Sequence, residues 1–190
     1  MSDERGFTLP EMLVTMAVMA IVLGGFGQML ITSSKTSNRV EEQAALQGDV
    51  RAAIDQLTSD FREATTVGAG GAVESISGTA FTFDSPDRST PFRLRRISYR
   101  LVNGELDRST TTSTNAGSAP WSWPANSGPW IPQMTSITNP TPFTFYDAGG
   151  SPTTNPALVS SMRVTLTVAP KQTQGGASTY AALIAIRTLQ

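Results

Sequence analysis

Twenty consecutive residues without a charge, 12–31, follow directly on Glu11 near the start of this 190-residue chain. At about 1.5 Å per helical residue, such a run matches the roughly 30 Å hydrocarbon core of a bilayer, so it can span one as a single helix. Glu11 stands at the head of that run. A carboxylate deep in lipid costs up to about 3 kcal/mol, so an acid at this margin calls for a partner or a task.

Two ordinary explanations account for part of this. A secretory signal peptide has a basic opening, an apolar core of roughly 7 to 15 residues and a small-residue cleavage site. This chain opens with Asp3, Glu4 and Arg5, its apolar run is longer, and Gln28-Met29-Leu30-Ile31-Thr32 offers no such site. A plain signal anchor explains the length and apolarity but not Gly6 before an aromatic residue, nor Glu11.

The string Gly6-Phe7-Thr8-Leu9-Pro10-Glu11-Met12-Leu13-Val14 resembles the class III signal of type IV pilins and type II secretion pseudopilins. The resemblance implies cleavage between Gly6 and Phe7 by a membrane-embedded aspartyl prepilin peptidase, with methylation of the new amine on Phe7. It makes Glu11 the family's fifth-position glutamate, which pairs with the N-terminal amine of a neighbouring subunit during fibre assembly. The partners it implies are the prepilin peptidase, other minor and major pilins or pseudopilins, the inner-membrane assembly platform and membrane lipid. A separate cytoplasmic ATPase would drive motion. The residue chemistry is consistent at each position. Glycine lets a peptidase approach an extended backbone closely. Pro10 in the first helical turn removes no intrahelical hydrogen bond. The leader departs from the family's usual basic character, and Lys35 and Arg39 lie just past the span. The charge bias of the flanks therefore does not set orientation, and the cleavage motif does.

Composition narrows the remainder. With 39% hydrophobic residues, 15% charged residues and net charge −1, the chain supports one membrane helix and one modest globular domain, and no bulk electrostatic wrapping of nucleic acid. The chain lacks cysteine and histidine, which excludes disulfides, thiolate chemistry and the commonest general base and zinc ligand. Gly68-Ala69-Gly70-Gly71 lacks the lysine and hydroxyl of a phosphate loop and reads as a hinge. No catalytic residue, metal ligand or cofactor is assigned. Asp84, Asp87 and Asp147 read as turn residues rather than calcium ligands.

Past the span, Leu46, Val50, Ile54, Leu57 and Phe61 recur at helical steps, while residues including Asp49, Asp55, Asp60, Arg62 and Glu63 carry the polar side. One helix over 10–65 is expected, apolar all round in its first half and amphipathic in its second, with Gly24, Gly25 and Gly48 as candidate points of bending. Thr65-Thr66-Val67-Gly68 supplies its stop. From Val73 the period becomes two. Strands are expected over 80–84 with Phe81 and Phe83 on one face, around Ile97, Tyr99 and Leu101, over 106–108, over 162–168 and over 179–189, with Asn103-Gly104 as a hairpin turn. The tract 109–119 reads as too polar to bury. The tract 121–142, with Trp121, Trp123, Trp130 and five prolines from Pro120 to Pro140, reads as a loop that is ordered only if its indoles pack.

The expected architecture is α+β. Residues 1–6 form a leader, 7–31 the membrane-spanning first half of the helix and 32–67 its amphipathic second half. The second half packs on an antiparallel sheet within a globular extracytoplasmic domain, 68–190. Ile97-Ser98-Tyr99-Arg100-Leu101, Gly104-Glu105-Leu106-Asp107-Arg108, Phe145-Tyr146-Asp147-Ala148-Gly149-Gly150 and Ala185-Ile186-Arg187 also resemble the J-type minor pseudopilin of type II secretion and PilW-like minor pilins. That resemblance implies a structural subunit at the tip of a fibre or initiating it. Arg88, Arg93, Arg95, Arg96 and Arg100 form a local basic cluster. Arg93, Arg95 and Arg96 are its candidate contacts to DNA or to a partner protein, and solvated arginines on a strand edge are the plainer account. The alternatives are therefore a DNA-uptake pilus subunit and an unprocessed single-pass anchored ectodomain.

Overall fold

The computed structural model describes residues 9–66, 71–170 and 176–187. Helix α1 (Leu9–Arg62) is followed by strands β1 (Val73–Ile76), β2 (Ala80–Asp87), β3 (Arg93–Val102), β4 (Glu105–Thr112), β5 (Trp130–Met134), β6 (Phe143–Tyr146), β7 (Ser161–Val168) and β8 (Ser178–Ala185). The fold is α+β, with the helix packed on antiparallel sheet. The single sheet of the sequence reading is two: a five-stranded meander in the order β1 to β5 and a three-stranded sheet in the order β6 to β8.

Contacts divide the chain into a unit ending at Ala44 and a unit starting at Ala45. In the first unit, the described residues are helical and apolar side chains such as Met12, Ile21 and Met29 are exposed on all sides. By length and composition α1 can cross a membrane. It runs unbroken through Gly24, Gly25 and Gly48, so none of the three is a break. Cα hydrogens there meet open space, and a single glycine costs a helix only about 1 kcal/mol.

In the second unit, α1 buries Val50, Ala53, Leu57 and Phe61, a stripe at three- and four-residue steps. Phe81 of β2 joins the layers: its ring lies 5.8 Å from Phe61 of α1, 5.3 Å from Tyr99 of β3, and 4.8 and 5.7 Å from Phe143 and Phe145 of β6. Met162, Val164, Leu166 and Val168 complete the core from β7, in the expected alternation.

The helix stops earlier than residue 65. Glu63 and Ala64 N–H groups donate to Asp60 and Phe61 carbonyls in a tight last turn, and Thr65 N–H donates to the Asp84 carbonyl of β2 at 2.9 Å. Once Thr65 joins β2 it cannot extend the helix. Val67 and Gly68 lie outside the described residues, as does Leu189 of the expected last strand.

Asn103 and Gly104 have φ of 52° and 76°, the two left-handed residues that a tight hairpin needs. They set the register Val102↔Glu105, Leu101↔Leu106 and Arg100↔Asp107. Both irregular tracts contain more structure than their composition suggests. Ser109 to Thr112 continue β4, and Ser109 and Ser113 are buried. Ser113 N–H donates to the Leu94 carbonyl and its hydroxyl to the Asn115 carbonyl, each at 2.8 Å, so hydroxyls here satisfy backbone groups instead of seeking water. Trp130–Met134 is strand β5 rather than loop. Pro132 is tolerated because β5 is an edge strand.

Candidate functional site

Glu11 lies in the first turn of α1, exposed, with no ion pair or hydrogen bond among the described residues. Gly6 and Phe7 lie outside the described residues. Pro10 occupies that same first turn, as its missing N–H requires.

The arginine cluster is built by strand alternation. β3 is the middle strand of its sheet, so Arg93, Arg95 and Arg96 are not on a strand edge, and the edge account of them is corrected. Side chains at 95, 97, 99 and 101 point to the core face, and those at 94, 96, 98 and 100 to the outer face. On the outer face Arg96 stands opposite Asp84 of β2, and Arg100 opposite Asp107 of β4. Arg96 Nε donates to Asp84 Oδ1 at 3.1 Å, and Arg96 also pairs with Glu74. Arg100 Nε donates to Asp107 Oδ2 at 3.0 Å. At the end of α1, Glu63 pairs with Arg88 and, at 3.4 Å, with Arg95. Arg93 has no ion pair among the described residues. Of the three arginines assigned to DNA or partner contact, two are thus already engaged by carboxylates of the same chain.

The tryptophans complete this arrangement. The Arg96 guanidinium lies 4.0 Å from the Trp123 ring centroid, and Arg100 lies 4.0 Å from that of Trp130. Trp121 meets Phe92 edge to face at 5.7 Å. All three indoles are half-buried, so they anchor the loop to the sheet rather than fill the core. Asp84 is not a turn residue but a buried strand residue, and burial pushes its carboxyl up to about 6. Burial also draws Arg96 below its ordinary pKa. Asp87 and Asp147 do serve turns, accepting from the Ser89 hydroxyl and the Ser151 N–H at 2.9 Å each.

Asp60 is absent from the sequence-based candidates, yet three side chains of the described residues donate to it. Placed on the polar side of α1 by periodicity, it is 6% exposed and accepts from Tyr99 Oη at 2.7 Å, Arg108 Nε at 2.6 Å and Gln56 Nε2 at 3.0 Å. Tyr99 and Arg108 are cross-strand partners on the core face, so the hairpin presents both to the helix. Burial, with the charge and hydrogen bond of Asp60, pushes the Tyr99 hydroxyl far above its ordinary range. Burial works against a charged Arg108, but its contacts with Asp60 outweigh that and raise its pKa. This is a fastener of helix to sheet, not a reaction centre.

What the exposed apolar half of α1 is for is addressed by comparison with known proteins. Residues 1–27 match the family model described as the prokaryotic N-terminal methylation motif. No curated protein matches the chain. The match supports a type IV pilin-like subunit, processed by prepilin peptidase and assembled with other pilins, in a structural rather than enzymatic role. An apolar N-terminal helix is consistent with a single-pass inner-membrane anchor before assembly.

Proposed function

We propose that the chain is a minor pilin or pseudopilin of the J-type, PilW-like branch, placed at the tip of a fibre or initiating one. Cleavage falls between Gly6 and Phe7, Phe7 carries the methylated amine, and Glu11 pairs with the N-terminal amine of the adjoining subunit. The observation that carries the pilin part of this reading is the methylation-motif match over the segment that opens α1, together with an apolar helix half whose side chains have no cover within the described chain, while the J-type branch and the tip position rest on the resemblance of the strand fragments alone. Glu11 meets no cation among the described residues, which suits a carboxylate whose partner comes from another subunit. A buried pair of that kind favours one register of packing more than it adds stability, because desolvation offsets much of its attraction. The globular domain stays outside the cytoplasm, as a single-pass topology led by this signal requires.

The carboxylates on Arg95 and Arg96 count against the DNA-uptake alternative, since a paired guanidinium has less charge to offer a phosphate. Glu11→Ala is the direct test of the assembly role. Processing and membrane insertion are expected to persist while incorporation into isolated fibres falls, and normal incorporation would refute the role given to Glu11.

A further inference from the structure

Away from the membrane signal, the domain has an open cleft of ≈ 880 Å³ between the approach to β1, the short 3-10 turn at Pro156–Leu158 and the loop after β4. Its volume is in the range of sites that hold small ligands. Pro120, Trp121 and Trp123 supply its apolar side, and Glu74, Asp84 and Arg96 are its only charged lining residues among the described residues.

The charged groups are set before any ligand arrives. Arg96 is held by Asp84 through Nε at 3.1 Å and Nη2 at 3.4 Å, also pairs with Glu74, and stacks on Trp123. Its Nη1 makes no hydrogen bond among the described residues. A fixed guanidinium and two fixed carboxylates lose little freedom on binding, which favours a ligand that matches them.

The chemistry of that ligand follows from the lining. Two carboxylates against one guanidinium leave one net negative charge, which opposes polyanions such as nucleic acid. A purely apolar ligand would leave Arg96 Nη1 desolvated without a partner. Hydroxyl groups can donate to Glu74 and Asp84 and accept from Nη1 at once. An indole also needs an apolar face to stack on. Pyranose rings with equatorial hydroxyls offer one, because their axial C–H bonds line both sides of the ring. The cleft is open rather than closed, so it admits the interior of a linear chain.

We propose that this cleft binds a neutral, gluco-configured β-1,4-linked polysaccharide, with Trp121 as the stacking ring and Glu74, Asp84 and Arg96 Nη1 as partners for its hydroxyls. Trp121 has that part because Arg96 already occupies a face of Trp123. The site lies outside the segment that directs assembly, so it stands or falls independently of the fibre role.

The test uses the full chain in a detergent without a sugar head group, titrated with cellotetraose and chitotetraose while tryptophan fluorescence and calorimetry are recorded. At least one saccharide is expected to saturate at millimolar concentration or below. Trp121→Ala is expected to weaken that binding about tenfold. Glu74→Gln, a change at an exposed position, should weaken it about threefold and covers the case in which Trp121→Ala fails to fold. Trp130→Phe, outside the cleft, should leave affinity unchanged. Failure of both saccharides to saturate by about 10 mM, roughly the weak limit of a specific site, would overturn the proposal. So would undiminished binding by a folded Trp121→Ala and by Glu74→Gln, or saturation by oligothymidylate or decaproline where the saccharides do not bind.

Discussion

Ile21 and Leu57 are aliphatic residues of the same helix, yet Ile21 is 76% exposed and Leu57 fully buried. Around Ile21 every face of α1 is apolar, so no rotation of the helix about its axis could hide all of them against one domain, a pattern that suits cover by lipid or by other subunits. Around Leu57 the apolar residues form one stripe, and the chain's own sheets supply the cover. The contrast shows that burial pattern, not hydrophobicity, separates a segment built for association from one built for folding. Beside Phe61 at the end of the stripe stands an acid, Asp60, that is fixed to β3 and β4. Glu11 at the opposite end of the apolar run has no such internal partner among the described residues.

Truncation on either side should break the symmetry between these two residue classes. Phe81→Ala removes the ring shared by α1, β3 and β6, and should cost the domain about 3–5 kcal/mol in urea unfolding followed by tryptophan fluorescence. Ile21→Ala, measured the same way, should leave that transition within about 0.5 kcal/mol of the unsubstituted chain, because no domain contact is lost. Equal effects of the two changes would contradict the division of α1 described above.

Asp60→Ala should cost about 3 kcal/mol, since it leaves the buried Tyr99 hydroxyl and the half-buried Arg108 without their shared acceptor. Double-mutant cycles with Tyr99→Phe should return a coupling energy well above that of the exposed pair Arg88 and Glu63.

A smaller effect concerns Asp84, whose carboxyl is raised from 3.8 to about 6 by burial. A raised acid holds its proton more tightly in the folded state, so its contribution to stability is greatest below 3.8 and is lost as pH rises through about 6. The stability of the unsubstituted chain relative to Asp84→Asn should therefore fall by roughly 2 kcal/mol between about pH 4 and pH 6.5. Parallel pH profiles for the two proteins would show that Asp84 is not the group responsible.

Much of the architecture was readable from residues alone. The stripe from Val50 to Phe61, the alternation from Met162 to Val168 and the Asn103-Gly104 turn each express one dominant local rule. The turn even held the clue to an ion pair: a two-residue hairpin places Arg100 opposite Asp107 by register. Asp60 was not readable, because an acid beside Arg62 and Glu63 looks solvated until partners 39 and 48 residues away are brought to it. Composition misled over Ser109 to Ser113, where hydroxyl groups make the backbone's hydrogen bonds, and over β5, where Pro132 marks an edge strand rather than a loop. Gly128 belongs to the same case. A Cβ there would lie 2.1 Å from the Thr110 carbonyl oxygen, so the polar strand and the loop meet backbone to backbone.

The central claim is that α1 begins as a processed assembly segment, and mass spectrometry of the N-terminus of the protein recovered from cells tests it most directly. The account predicts a chain that starts at N-methylated Phe7. A mature protein that keeps Met1, or whose first residue is any other, would contradict it.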